Sequence, residues 1–151
     1  MLRKEICFRM YRYKVVNDEC VGLHDCRANQ MAWNEDVLSF YIPDGIYVWK
    51  TGETIKTKEA KVDFEILDKE FDGVDIYLFK KNRSGKVVRE EWELNNFINA
   101  VNNGTFELEF VYKYQGYQSI LYKCYVWFDR VPYHYECEMI LHTEKMICRW
   151  N

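Results

Sequence analysis

Between Thr105 and His142 the chain alternates apolar and polar residues, the period of two that a pleated strand with one buried face requires. Phe106, Leu108, Phe110, Tyr112 and Tyr114 alternate with Glu107, Glu109 and Lys113. Ile120, Tyr122, Cys124, Val126 and Phe128 alternate with Leu121, Lys123, Tyr125, Trp127 and Asp129. Tyr133, Tyr135, Cys137, Met139 and Leu141 alternate with His134, Glu136, Glu138, Ile140 and His142. With breaks at Gln115-Gly116 and Pro132, this predicts an antiparallel meander.

Upstream, Ile6, Phe8 and Met10 mark a first strand from Arg3 to Val16, ended by Asn17-Asp18-Glu19. Cys20 to Glu35 is the least regular segment, with a short helix expected over Arg27 to Trp33. Val37–Ile42 and Ile46–Lys50 read as a hairpin around Pro43-Asp44-Gly45, where Pro presets φ and Gly supplies positive φ. Thr51 to Lys61 reads as a polar excursion. Val62–Ile66 and Val74–Phe79 then read as a second hairpin joined through Phe71-Asp72-Gly73. After a turn at Asn82 to Gly85, Trp92, Phe97, Ile98 and Val101 share one side of a helix expected over Val88–Asn102. Glu90, Glu91 and Glu93 suit its positive N-terminal end, and Gly104 suits its stop. The sum is an α+β, β-rich fold. We expect a mainly antiparallel curved sheet or half-barrel of about eight strands, with the helix (88–102) packed on it.

A chain of 151 residues fits a single domain, 1–151, and at that size needs no disulfide or metal staple. The aromatic share of 17%, with 12 tyrosines, is high. A net charge of −3 argues against long nucleic acid as a partner. Arg3, Lys4, Arg9, Arg12 and Lys14 form a basic strip on the first strand. Its ordinary meaning is edge protection, with Arg9 and Arg12 as the residues that would hold a ligand phosphate. No apolar run has membrane-spanning length, and the charged N-terminus lacks the apolar core of a signal peptide. A cytoplasmic protein whose six cysteines are reduced thiols is therefore expected.

Candidate chemistry is sparse. The chain has no Gly-rich phosphate loop, no His-Glu-x-x-His and no Gly-x-Ser-x-Gly elbow. Cys20, His24 and Cys26 are zinc-type ligands, but a closed site needs a fourth, so no metal or cofactor is assigned. His134, Glu136, Glu138 and His142 share one face of the last strand of the meander, at neighbour spacings of about 7 Å. Such a row suits acid–base work, a metal, or simply water. In the expected register Tyr125 and Trp127 lie across from it, and aromatics ringed by carboxylates suit a basic partner. The reading this favours is a non-enzymatic protein-binding or inhibitor protein. Tyr125 and Trp127 would be its anchors, surrounded by Glu107, Glu109, His134, Glu136 and Glu138. Small inhibitors such as immunity and phage counter-defence proteins share this general composition. The alternatives are a nucleotide or small-molecule binder with an aromatic pocket and Arg9 or Arg12 on a phosphate, and a small metal-dependent hydrolase. A homo-oligomer formed through a strand edge is also compatible with the pattern.

Overall fold

The computed structural model describes residues 9–14, 20–50, 52–67 and 73–151. Its strands divide into three antiparallel sheets, with one helix among the described residues. The five-stranded sheet runs, in spatial order, β1 (Arg9–Lys14), β14 (Thr143–Trp150), β8 (Ala60–Ile66), β5 (Val37–Ile42) and β4 (Gln30–Asn34). The six-stranded sheet runs β10 (Val87–Trp92), β9 (Val74–Lys81), β13 (His134–Leu141), β12 (Ser119–Trp127), β11 (Glu107–Gly116) and β3 (Cys26–Ala28). A small sheet joins β2 (Val21–Gly22), β6 (Tyr47–Lys50) and β7 (Glu53–Lys56). No helix among the described residues is long and apolar enough to cross a membrane.

The two larger sheets pack face to face, because each strand turns alternate apolar side chains inward. Phe40 and Phe64 of the five-stranded sheet meet Phe110 and Tyr122 of the six-stranded sheet. Ring centroids lie 5.2 Å apart for Phe40–Phe110 and 6.0 Å for Phe64–Tyr122, both edge to face, the arrangement that ring quadrupoles favour. Leu38, Val62, Ile76, Leu78, Leu108 and Met139 complete the buried layer.

Helix α1 (Leu94–Asn102) closes one end, burying Phe97, Ile98, Ala100 and Val101. Phe106 sits in the aromatic group beneath it, 5.2 Å from Phe97, 5.9 Å from Trp92 and 5.6 Å from Phe128. The Asn102 side chain does the work of a neighbouring strand. Its Oδ1 accepts from Met31 N–H at 2.8 Å and its Nδ2 donates to Met31 C=O at 2.9 Å. The free edge of β4 is thereby partly covered.

At two single-residue corners the chain passes from the six-stranded to the five-stranded sheet. At the first, Asn29 separates β3 from β4. At the second, His142 separates β13 from β14, and Thr143 Oγ1 donates to Glu65 C=O at 2.6 Å. On the outer side of the five-stranded sheet the buried Asp63 carboxylate accepts from Ser39 Oγ at 2.6 Å and pairs with Arg149, with Lys61 at 3.7 Å. This network ties β5, β8 and β14 together.

The α+β, β-rich class agrees with the sequence reading, and the sheets do not close into a barrel. Several elements differ. Residues 87–92 are a strand, and the helix begins only at Leu94. The cause is local: Asn82 Oδ1 accepts from the backbone N–H groups of Ser84 and Lys86, folding a tight turn that lays β10 back on β9. Glu90 and Glu91 therefore belong to the strand. Residues 27–33 form β3 and β4 in place of a short helix, and 53–56 pair with β6 as β7. Neither expected upstream hairpin forms. β5 and β6 enter different sheets, as do β8 and β9, because their apolar faces are needed in different layers. β14, with Met146, Cys148 and Trp150 buried, was not anticipated. Of the expected first strand, Arg3, Lys4, Ile6, Cys7 and Phe8 lie outside the described residues, as does Phe71-Asp72.

Gly45 provides a direct check on this packing. It has φ of +83°, and a Cβ there would lie 2.1 Å from the carbonyl oxygens of both Thr57 and Lys58. Gly85 has a similar φ, +82°, with open space around it. Gly85→Ala should cost about 1 kcal/mol through left-handed backbone strain alone. Gly45→Ala should cost clearly more, about 3 kcal/mol, because backbone must also move. Urea unfolding of the two variants checks the difference.

Candidate functional site

The outer face of the six-stranded sheet collects most of the polar and aromatic positions that the meander does not bury. Register fixes who stands beside whom. Trp127 pairs with His134 and with Glu107, Tyr125 pairs with Glu136 and with Glu109, and Lys123 pairs with Glu138. Next along the sheet, Phe79 stands opposite Glu136 and Tyr77 opposite Glu138. On the other side Arg27 of β3 stands opposite Glu109. The structure therefore brings Glu107, Glu109, Tyr125, Trp127, His134, Glu136 and Glu138 onto one continuous face, in the register that the sequence pattern required.

The rings form a cluster. The His134 ring centroid lies 4.9 Å from that of Tyr125 and 4.8 Å from that of Trp127, and the latter two are 6.0 Å apart. Arg27 lies over the Trp127 ring, 4.5 Å from its centroid. Its Nε donates to Glu109 at 3.2 Å, and a guanidinium nitrogen is 3.8 Å from Glu107. Trp127 Nε1 is buried without a hydrogen-bond partner, and no other buried side-chain nitrogen or oxygen among the described residues is in that state. Glu138 is 3.8 Å from Lys123 Nζ. A groove of about 420 Å³ crosses the face between Phe79, Tyr112, Lys123, Tyr125, Glu136 and Glu138. At the opposite edge Arg89 lies 4.7 Å above the Tyr77 ring. On the inner side of that same edge, Glu90 accepts from Lys80 Nζ at 3.1 Å and from Trp92 Nε1 at 2.6 Å. The hydrogen bond from Lys80, ahead of that from Trp92, holds this carboxyl below its ordinary range.

Tyr112 reaches this face through a β-bulge. The β11–β12 register shifts between Phe110 and Tyr112, so Tyr112 pairs with Lys123 and Lys113 with Tyr122. Tyr112 and Tyr114 therefore leave the buried row of Leu108 and Phe110 and stand exposed, which corrects the single alternation expected through Tyr114. An extra residue in one strand exchanges its two faces from that point on. Arg27, Tyr77, Phe79, Arg89 and Tyr112 were not assigned to the site from sequence. For Arg27 the available signal was the alternation of Cys26, Arg27 and Ala28, whose burial is inward, outward, inward.

Other candidates do not assemble. His142 lies beyond the end of β13, with its Nε2 3.7 Å from Asp75. At about 3.3 Å per residue it stands about 26 Å from His134, so the two histidines share no substrate atom or metal. Cys26 is buried and Cys20 is exposed. His24 Nδ1 lies 2.8 Å from Val111 C=O and its Nε2 lies 3.2 Å from Asp25. Among the described residues no group of three His, Cys, Asp or Glu side chains could hold a metal ion. Arg9 and Arg12 sit on β1, opposite Trp150 and Ile147, at the edge of the other large sheet.

No family model, no curated protein and no solved structure matches this chain.

The cysteines separate by environment. Burial pushes the Cys26 thiol up, with Lys56 partly opposing, and burial raises Cys124 and Cys137 further. Only the thiolate is reactive. Among the described cysteines, mild treatment of the native protein with a thiol reagent should modify Cys20 and spare Cys26, Cys124, Cys137 and Cys148, as peptide mapping by mass spectrometry will read. Rapid labelling of Cys124 or Cys137 before unfolding would contradict the packing described.

Proposed function

We propose that this chain is a non-enzymatic binding protein that occupies a basic surface of a protein partner with the outer face of its six-stranded sheet. The observation that carries the reading is the Tyr125–Trp127–His134 ring cluster, set among Glu107, Glu109, Glu136 and Glu138 on one open face. Rigid aromatics near the centre of a charged surface are the arrangement from which interfaces draw most of their energy. The carboxylates would steer a basic partner and set its register. Where the partner's basic surface is its working site, binding is inhibition.

A reducing, cytoplasmic setting fits this proposal. Cys124 and Cys137 stand opposite each other on neighbouring strands as thiols, and thiols persist where disulfides are kept reduced.

Replacing Tyr125 and Trp127 together by alanine should weaken partner binding about hundredfold or more while the circular dichroism of the fold is retained. The measurement is affinity capture from host lysate with wild type and variant as bait, followed by titration of the captured protein against both. A folded double variant that binds undiminished would remove these two residues from the interface.

A further inference from the structure

Three places on the outer face set a carboxylate, a ring or both at neighbouring register positions, and two of them are filled by the chain's own guanidinium groups. Arg27 lies over Trp127 at 4.5 Å while bonding Glu109 at 3.2 Å and approaching Glu107 at 3.8 Å. Arg89 lies over Tyr77 at 4.7 Å. The third is central and open. Glu136 stands between Phe79 on β9 and Tyr125 on β12, at cross-strand spacings of about 5 Å. It is exposed at the floor of the 420 Å³ groove. Among the described residues it has no hydrogen-bond or ion-pair partner, whereas Glu107 and Glu109 hold Arg27 and Glu138 faces Lys123.

We propose that Glu136, with Phe79 and Tyr125 on either side, is the seat for an arginine side chain of the protein partner. The inference rests on the partner-binding reading above and names the chemistry that the face selects. A guanidinium is planar, stacks on an aromatic ring and offers a carboxylate two parallel N–H donors. A lysine ammonium is a strongly hydrated point charge and uses the rings less well. The Arg27 arrangement is this recognition already made within the molecule, one strand pair away. Its presence means that Glu107 and Glu109 are not free to take a partner's cation unless Arg27 is displaced.

The test uses a Gly/Ser peptide carrying spaced arginines, its lysine and citrulline counterparts, and amide NMR of the full chain. With the arginine peptide, shifts should centre on Phe79, Tyr125 and Glu136. The lysine peptide should bind more weakly and the citrulline peptide should not bind. Glu136→Gln should weaken arginine-peptide binding about threefold to tenfold. Arg27→Ala should open a second site of the same kind, with new shifts at Glu107, Glu109 and Trp127. Equal binding of the lysine peptide, no effect of Glu136→Gln, or an unmoved wild-type spectrum would each overturn the proposal. Those outcomes are separable from failure of the broader reading, since a partner could still depend on Tyr125 and Trp127 after Glu136→Gln has proved silent.

Discussion

The meeting of Phe40 and Phe64 with Phe110 and Tyr122 between the two large sheets sets everything outside it. Each ring buried there contributes about 1.5–3 kcal/mol through removal from water. Edge-to-face pairing adds about 0.5–1.5 kcal/mol per pair. Because strand side chains alternate, holding Phe110 and Tyr122 inward obliges Glu109, Lys123 and Tyr125 outward. A slip of one residue in β12 would bury Tyr125 and Trp127 and expose Cys124 and Val126. The core therefore specifies the outer face.

The β-bulge modifies that rule in one place. Up to Phe110 the strand obeys the alternation of the core. Beyond it the extra residue exchanges the two sides, and Tyr112 comes to line the outer groove. The site thus combines a row positioned by the core with a row positioned by an irregularity. The partner chemistry proposed above rests on both: flat rings and, among the described residues, the one carboxylate of the row, Glu136, that no cation of the chain pairs with.

How much of this the sequence made legible depended on whether one strand's pattern was enough. The meander of β11 to β13 was readable because its strands alternate up to the bulge in β11, and short connections set Tyr125 and Trp127 across from the row of His134, Glu136 and Glu138; the individual pairs came from the structure. Residues 87–92 were misread because Trp92 and Phe97 also satisfy helical spacing, and only the Asn82 turn decides for a strand. The hairpins expected upstream failed because a turn such as Pro43-Asp44-Gly45 redirects the chain without saying which sheet it enters next. Arg27 was missed because its strand has three residues, too short for periodicity to register. His142 was placed in the site row by alternation alone, which cannot reveal that the chain turns a corner at that residue.

The most direct test is hydroxyl-radical footprinting of the chain in complex with a protein captured on it from host lysate, compared with the chain alone. The account predicts protection concentrated at Phe79, Tyr125, Trp127 and His134, with Tyr41 on the opposite sheet and Tyr117 at the β11–β12 turn unchanged. Protection at Tyr41 or Tyr117 in place of the Tyr125–Trp127–His134 cluster would contradict it.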